Sequence, residues 1–331
     1  MSEFLQLEES GLVQQSEKPV QRRTLRERYL GIQMRFWKHC PAGWRSSWIG
    51  KRWGWHIHAL VRALSSRQQY FATFFLRNRP EMNLMCRLLE QKPRGAQVRI
   101  AILACSKGAE VYSILWAIRS ARPDLDIRVH ALDISPEIVE FASQGIYSLQ
   151  PPPGEGEAAG QPGDVARTTH RDQRAPLFER VSEAEMEQIF EMDGDEAKVR
   201  PWLREGITWS SGDAGDPALG EQLGPQDLVV ANRFLCHMTP PVAARCLTNI
   251  GRLVAPGGYL FVCGIDMDVR ARVALAQRWK PVTEMICEIH DGDVSLREGW
   301  PLEYWALEPL RDDLPNWQMR YASAFQIGET I

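Results

Sequence analysis

The stretch VRIAILACSKGAEVYSILWAIRS, residues 98–120, decides the fold of this chain. Residues 98–104 are mostly apolar and predict a buried strand, and the apolar positions after Gly108 repeat as they do on an amphipathic helix. The turn between them holds one glycine where a dinucleotide-binding G-x-G-x-x-G motif has three, which disfavours a pyrophosphate-binding loop. The stretch therefore predicts one strand–turn–helix unit of an α/β sheet.

The same alternation of strands and helices continues towards the C-terminus. Further strands are predicted at 127–133, 207–213, 227–232 and 258–264. Helices begin after Ser135 and after Thr239, and proline follows each of these two residues. This alternation predicts a mostly parallel, doubly wound sheet, and two apolar runs, 304–310 and 317–327, predict an antiparallel hairpin at its edge. Ligands of such sheets lie at the carboxyl ends of the strands, so the residues after each strand are the candidates for chemistry.

The whole chain divides into three predicted regions. Residues 1–20 are expected to form a disordered tail, and residues 21–94 a small helical unit. Residues 95–331 form the α/β domain, in which the segment 150–176, rich in Pro and Gly, predicts a mobile loop. The first helix of the helical unit carries one apolar stripe with arginines on the rest of its surface, and the stripe consists of Leu25, Tyr29, Ile32 and Phe36.

The charge is distributed very unevenly along the chain. Between Lys18 and Arg67 there are twelve Lys or Arg residues and one acid, Glu27, which is a net charge of +11. Because the whole chain carries −3, the remainder carries −14. The basic segment also holds five of the twelve tryptophans. It predicts contact with an anionic surface, either a membrane or another polyanion, without specific nucleic-acid recognition. The alternative is a solvated helical face docked on the acidic α/β domain.

The cysteines and the hydropathy indicate the compartment. The seven cysteines are scattered and include no C-x-x-C pair, so a disulfide framework and a structural zinc site are both disfavoured. Residues 1–20 lack the pattern of a secretion signal, and the best apolar stretch, 258–265, is too short to cross a bilayer. The expected location is the cytoplasm, with peripheral attachment to the inner membrane face as an option for the basic segment.

The second predicted strand ends in an acid. Asp133 stands where a carboxylate can accept hydrogen bonds from both ribose hydroxyls of a nucleoside. A nucleoside without a cradled pyrophosphate suggests S-adenosylmethionine. On its own this residue allows a second interpretation, because strands also end in Asp to cap the next helix.

Several motifs in one order resemble a known family. The motifs are TFFLR (73–77), ACSKGAEVYS (104–113), ALDIS (131–135), SQGIY (143–147), SSGD (210–213) and APGGYLF (255–261). Together they resemble the chemotaxis receptor glutamate methyltransferases (CheR-type) and the wider set of enzymes built on that catalytic domain. The resemblance covers about residues 70–265 and implies a Rossmann-like class I methyltransferase fold with S-adenosylmethionine as the cofactor.

The resemblance also implies the contacts to the cofactor. Arg77 would neutralise the methionine carboxylate, Glu110 would pair with the amino group, Asp133 would hold the ribose and Asp213 would lie beside the adenine. The full implied set is Thr73, Arg77, Ala104, Ser106, Gly108, Glu110, Asp133, Ile134, Asp213, Ala214 and Asn232. Helix capping by the two aspartates and a surface ion pair for Arg77 are the alternatives.

The segment after the fourth strand departs from the family pattern. The family reads CRNVxIYF, whereas residues 231–238 read ANRFLCHM, so Asn232 and Arg233 are transposed and His237 replaces the tyrosine. These three are the candidate catalytic residues. A neutral imidazole can take the proton of an alcohol, whereas a carboxylate acceptor needs no base. The departure therefore favours methylation of a hydroxyl over a carboxylate, without excluding the latter.

Three functions remain open at this point. The leading one is an O-methyltransferase acting outside chemotaxis on a sugar, a polysaccharide end or another small metabolite. The second is a receptor glutamate methyltransferase, and the third is a regulatory module that binds the cofactor without turnover. Residues 288–293 contain acids and a histidine, but Asp-Gly-Asp is common turn chemistry, so no metal is predicted.

Overall fold

The fold is described from a computed structural model. It describes residues 24–65, 67, 73–150, 176–293, 299–304 and 306–328. The predicted tail at 1–20 and nearly all of the predicted loop at 150–176 lie outside the described residues. The strands are β1 Gln97–Leu103, β2 Asp126–Asp133, β3 Ile146–Ser148, β4 Phe190–Asp193, β5 Glu196–Val199, β6 Ile207–Ser211, β7 Gln226–Val230, β8 Val254–Phe261, β9 Lys280–Pro281 and β10 Ala324–Gln326.

The helices lie between these strands and in the N-terminal unit. They are α1 Leu25–His39, α2 Ala42–Arg45, α3 Trp48–Leu64, α4 Arg79–Leu89, α5 Ala109–Ala121, α6 Pro136–Gln144, α7 Glu183–Ile189, α8 Pro201–Arg204, α9 Leu219–Leu223, α10 Pro240–Gly251, α11 Met267–Ala276, α12 Ile286–Asp291 and α13 Trp317–Tyr321. Within the described part of the chain, none of these helices is both long and apolar enough to cross a membrane.

The main sheet has seven strands in the order β6-β2-β1-β7-β8-β10-β9. β1 is parallel to β2 and β7, and β10 is antiparallel to β8 and β9. The predicted α/β fold, mostly parallel with an antiparallel strand near one edge, is confirmed. The order reverses between β1 and β7, so a crevice opens beside the carboxyl ends of these two strands.

Helices cover both faces of this sheet, which explains its apolar strands. Along β1, Ile100 and Ile102 pack into one core and Ala101 and Leu103 into the other, as the alternation of side chains across a strand requires. All four residues are fully buried. A strand buried on both faces has a continuous apolar sequence, and this continuity made β1 recognisable.

The predicted C-terminal hairpin is wrong in its details. Residues 317–321 form α13, and β10 pairs with β8 and β9 instead of with the run 304–310. Trp317 and Tyr321 are spaced both as alternate positions of a strand and as i and i+4 of a helix, so the pattern alone does not separate the two.

A small antiparallel sheet of β3, β5 and β4, in this spatial order, was missed by the sequence reasoning. Two of its strands, β4 and β5, follow α7, whose N-cap residue Ser182 forms a capping box with Glu185. Its strands are only three or four residues long, too short for a period-2 pattern to be recognised.

The N-terminal unit packs α1 against α3. Trp37, Ile57 and Val61 form its small core, and Trp53 and Trp300 pack beside them. The unit also contacts the α/β domain, because Arg62 forms an ion pair with Asp268 at 3.2 Å. The described residues of the N-terminal region form helices α1 to α4.

Candidate active site

The turn between β1 and α5 has an unusual backbone. Ala104 and Ser106 adopt positive φ angles of 54° and 50°, and Gly108 adopts 82° at the N-cap of α5. A Cβ at Gly108 would lie 3.1 Å from the Cβ of Ala142, so glycine is required by both space and conformation. The turn exposes the backbone beside the carboxyl end of β1, where a ligand can approach it.

A cavity of about 340 Å³ opens at this turn, within the size range of small-molecule sites. Of the residues predicted as site residues, the following line it: Thr73, Arg77, Ala104, Ser106, Glu110, Asp133, Ile134, Asp213, Ala214, Asn232, Arg233 and His237. Gly108 does not line it and acts through the shape of the turn. The cavity thus brings together residues that are up to 164 positions apart in the chain.

Asp133 at the end of β2 is held by two backbone groups. Its Oδ2 accepts a hydrogen bond from the N–H of Ser106 at 2.8 Å, and its Oδ1 accepts one from Ser135 at 3.2 Å. The side chain is buried, yet it lines the cavity. Because each carboxylate oxygen can accept two hydrogen bonds, Asp133 can hold the turn and still accept bonds from a ligand's hydroxyls.

Asp213 lies in the equivalent place after β6. Its Oδ1 accepts a hydrogen bond from the N–H of Gly215 at 2.7 Å, while the residue remains exposed at the mouth of the cavity. The neighbouring Ala214 is buried, and Ile134 from the other side of the mouth is 56% exposed. An acid between two apolar side chains suits a flat heterocycle that carries an amino group.

Asn232, after β7, connects the floor of the cavity. Its Nδ2 donates to Glu110 Oε1 at 2.9 Å and to Glu81 Oε2 at 3.1 Å, and its Oδ1 accepts from the N–H of Cys263 at 2.9 Å. Both amide hydrogens and the carbonyl oxygen are therefore engaged by protein groups. In this arrangement Asn232 positions two carboxyl groups and does not itself present a free donor to a ligand.

Glu81 was missed by the sequence reasoning. It is 5% exposed, it lines the cavity, and its Oε1 is buried without a hydrogen-bond partner among the described residues. Burial, and then the nearby Glu110 carboxyl, raise the pKa of Glu81 to about 8. Its place in the first turn of α4 resembles an ordinary capping position, since its N–H bonds to Asn78 Oδ1. Only the fold shows that the side chain turns into the cavity.

Arg77 and Glu110 are half-buried and interact electrostatically at the same end of the cavity. Burial and the Arg233 cation lower the pKa of Arg77 to about 9, while Glu110 acts in the opposite direction. The guanidinium therefore remains charged near neutral pH. Burial raises the pKa of Glu110, and the Asn232 hydrogen bond and Arg77 oppose that rise. These two residues can hold a zwitterionic amino-acid group through its carboxylate and its ammonium.

Arg233 and His237 lie on the segment after β7. Arg233 adopts a positive φ of 62° and pairs with the buried Asp293. A Cβ at Gly264 would lie 2.5 Å from the Cα of Arg233, so the two backbones can approach only because residue 264 is glycine. His237 ends the short 3₁₀ helix Leu235–His237 and lines the same cavity.

Arg67 fixes the turn that carries His237, and it too was missed by the sequence reasoning. Its guanidinium donates to the carbonyl oxygens of Cys236 at 3.0 Å and Met238 at 2.6 Å, and it pairs with Asp266 at 3.2 Å. Burial, and then this cation, lower the pKa of His237 below its ordinary value of 6.5. The imidazole is therefore neutral at pH 7 and able to accept a proton.

The segment 288–293 has other partners. His290 Nε2 lies 2.8 Å from the carbonyl oxygen of Glu308, and Asp293 is engaged by Arg233. No group of three or more His, Cys, Asp or Glu suited to a metal occurs among the described residues.

The cavity suits S-adenosylmethionine by the chemistry of its lining. The cofactor carries an amino acid, a ribose and an adenine, and the lining offers a charged pair, a ribose-binding acid and an apolar mouth with an acid, in that order. The buried, unpartnered Oε1 of Glu81 adds a polar atom on the side where the ammonium would lie. Arg77 and Glu110 would hold the amino acid, Asp133 the ribose, and Ile134, Asp213 and Ala214 the adenine.

Comparisons with known proteins agree with this assignment. Residues 72–151 match the family model "CheR methyltransferase, SAM binding domain". The chain is 27% identical over 211 residues to the probable biofilm formation methyltransferase WspC of Pseudomonas aeruginosa, covering 62% of this chain and 43% of that protein. The WspC protein of Pseudomonas putida is 24% identical, with 66% and 45% covered. The chain therefore spans less than half the length of these curated relatives.

One solved structure shows how weak the overall structural likeness is. An O-methyltransferase of Planctomyces limnophilus in complex with apigenin is 13% identical, covers 59% of this chain and 51% of that chain, and has a TM-score of 0.32. A TM-score this low does not support a functional assignment. The assignment of S-adenosylmethionine as the cofactor rests on the family model, the sequence relatives and the lining of the cavity. Residues 72–151 thus resemble the S-adenosylmethionine-binding domain of the CheR-type methyltransferases, and the chain is similar to methyltransferases built on that domain.

Proposed function

We propose that this protein methylates an oxygen atom, with a hydroxyl group of a sugar, a polysaccharide end or a small metabolite as the acceptor. The observation that carries the proposal is the position of His237, a neutral imidazole in the same cavity as the cofactor residues. The curated relatives are named as biofilm formation methyltransferases, which supports a role outside chemotaxis. The cytoplasm is the proposed location.

In this proposal, one group of residues in the cavity binds the cofactor and another acts on the acceptor. Arg77 and Glu110 would hold the amino-acid end of the cofactor, and Asp133 would hold the ribose. S-adenosylmethionine supplies an activated methyl group on a sulfonium. Asn232 donates a hydrogen bond to Glu110 Oε1, so its contribution is to position that carboxyl group.

His237 takes the proton of the acceptor. The bound cofactor would supply its methyl group to the acceptor oxygen, and the hydroxyl proton would then need a base among the residues of the cavity. His237 Nδ1 or Nε2 receives it, and a positioned base typically contributes ~10²–10⁴-fold to such a step. Arg67 assists by keeping the imidazole neutral and by fixing the turn on which it lies.

A carboxylate acceptor is the second candidate, and a separate observation favours it. Three guanidinium groups, those of Arg67, Arg77 and Arg233, line the cavity. Arg67 and Arg233 pair with Asp266 and Asp293, and a guanidinium group is well suited to hold the carboxylate of an acceptor through two hydrogen bonds. A carboxylate is already ionised, so its methylation would not depend on His237.

The product distinguishes the two acceptors. The purified chain is incubated with cofactor carrying a labelled methyl group and, separately, with glycan, small-metabolite and protein fractions of source cells. A methyl ether keeps its label in mild alkali, whereas a methyl ester releases it as volatile methanol. The proposal expects an alkali-stable product, together with a loss of about two orders of magnitude or more in kcat in His237→Ala.

The control is His39→Ala, an exposed histidine at the end of α1, which should keep full activity. An alkali-labile product formed equally well by His237→Ala would replace the hydroxyl acceptor by a carboxylate. A chain that binds the cofactor but transfers no methyl group to any fraction would favour a regulatory module.

A further inference from the structure

The apolar stripe of α1 faces solvent. Leu25 is 83%, Ile32 51% and Phe36 63% exposed, and Tyr29 is 44% exposed. These four residues lie within a narrow arc of the helix, and α1 packs on α3 mainly through the neighbouring arc that contains Leu30 and the buried Trp37, while the Tyr29 hydroxyl lies 3.2 Å from His56 Nε2 on α3. An amphipathic helix normally turns its apolar stripe to the protein core, whereas among the described residues this stripe stays largely exposed.

α3 extends the exposed surface. Trp48 and Ile49, in its first turn, are 75% and 59% exposed. The helices are joined side by side, since Trp53 Nε1 donates to Gln33 Oε1 at 2.6 Å, and α1 ends close to where α3 begins. We call the combined surface of Leu25, Tyr29, Ile32, Phe36, Trp48 and Ile49 the α1–α3 face.

Positive charges surround the α1–α3 face. The exposed basic residues of these two helices are Arg26, Arg28, Arg35, Lys38, Lys51 and Arg52. Glu27 is the only acid in the sequence between Lys18 and Arg67, and its carboxylate accepts the backbone N–H of Thr24 at 2.7 Å. Arg62 and Arg67, by contrast, are turned to the α/β domain and pair with Asp268 and Asp266. The contact with that domain therefore uses other residues and leaves the α1–α3 face outward.

We propose that the α1–α3 face docks on the surface of a bilayer that contains anionic phospholipid. A helix that lies in a membrane interface has this composition, with Trp, Phe, Leu and Ile on one side and Lys and Arg on the flanks. The acyl region receives the apolar side chains, and the basic flanks attract the headgroups. Charge alone would fit any polyanion, but the aliphatic side chains of Leu25, Ile32 and Ile49 have no matching apolar surface on nucleic acid or acidic polysaccharide.

The test is flotation of the full chain with lipid vesicles. Vesicles that mix phosphatidylcholine with phosphatidylglycerol should bind the chain, and vesicles of phosphatidylcholine alone should bind it far more weakly. Binding should fall as salt rises from about 0.1 M to about 1 M, because the screening length shortens from ~10 Å to ~3 Å.

Matched variants separate the stripe from the charge. Ile32→Asp with Phe36→Asp should lower the partition coefficient at least about tenfold, and Arg28→Gln with Arg35→Gln should reduce it and flatten its salt dependence. Met192→Asp is the control, because Met192 is 51% exposed on β4, in the small second sheet. Unchanged binding of S-adenosylhomocysteine by each variant shows that the fold is intact.

Four results would overturn the proposal. The first is an absence of binding to anionic vesicles at low salt, and the second is binding that salt does not change. The third is binding to heparin or DNA as tight as to vesicles and unaffected by the aspartate variant, which would indicate a polyanion partner. The fourth is a wild-type dimer that dissociates in the same variant, which would make a second copy of the chain the occupant.

Discussion

Replacing Glu81 by Gln should make this protein more stable near neutral pH. Glu81 is buried beside Glu110, and both carboxyl groups accept from the same Asn232 amide. Its pKa of about 8 in the folded protein lies above the ordinary value of 4.5. The folded chain therefore holds a proton that the unfolded chain releases, and stability falls as the pH rises between these two values. Glutamine has the shape of the protonated acid and never requires that proton.

The size of the effect follows from the two pKa values. At about pH 7 the unfolded glutamate lies about 2.5 pH units above its pKa, and one unit corresponds to ~1.4 kcal/mol, so the gain is about 3 kcal/mol. The gain should be small at about pH 4.5 and vanish by about pH 3.5, where the wild-type carboxyl is largely protonated in both states, and it should level off above about pH 8. Glu110 is present in both proteins, so the difference between them isolates Glu81.

Urea unfolding of both proteins at about pH 5, 6, 7 and 8 measures this difference. Glu221→Gln, an exposed position on α9, controls for the loss of one negative charge. The reasoning is refuted if Glu81→Gln is no more stable than the wild type at pH 7, or if the difference does not change with pH. Either result would mean that Glu81 is ionised in the folded protein.

Two further substitutions test the same site. Asn232→Ala removes the donor shared by Glu81 and Glu110 and the acceptor for the N–H of Cys263. The variant should lose about 1–3 kcal/mol of unfolding free energy in urea and should bind the cofactor more weakly. If neither quantity changes, Asn232 has no positioning role. Arg67→Gln removes a cation that lowers the pKa of His237, so the acid limb of the pH–rate profile should move to higher pH; an unmoved limb would mean that His237 is not the group that titrates.

The fold was predictable because its signal is local and repeated. Strands such as β1 are continuous apolar runs, and each is followed by a turn and a helix, so the α/β order needs no knowledge of the tertiary contacts. The C-terminal edge was predicted less well, because the spacing of Trp317 and Tyr321 fits both a strand and a helix.

A site residue could be predicted only where a local sequence pattern indicates its position. Asp133 is the last residue of a strand, and its position alone indicates a role at the carboxyl edge of the sheet. No local sequence pattern indicates a role for Glu81 or Arg67. Glu81 occupies what looks like a capping position, and its role depends on its contact with Asn232, which is distant in the sequence. Arg67 is one of twelve basic residues in its segment, and its role depends on its contact with the turn that carries His237.

The exposed stripe on α1 shows that hydrophobic periodicity alone does not predict which face of a helix is buried. The spacing of Leu25, Tyr29, Ile32 and Phe36 establishes that they share one face of the helix, but it does not establish what covers that face. α1 carries a second apolar arc around Trp37, and packing with α3 uses that one.

Titration calorimetry with S-adenosylhomocysteine tests the central claim, that the cavity at the ends of β1, β2 and β7 binds the cofactor. The wild-type chain should bind one molecule, Asp133→Asn should bind it far more weakly, and Asp312→Ala, an exposed acid away from the cavity, should bind it as the wild type does. A thermal melt confirms that each variant is folded. Undiminished binding in Asp133→Asn, or no binding by the wild type, would contradict the account.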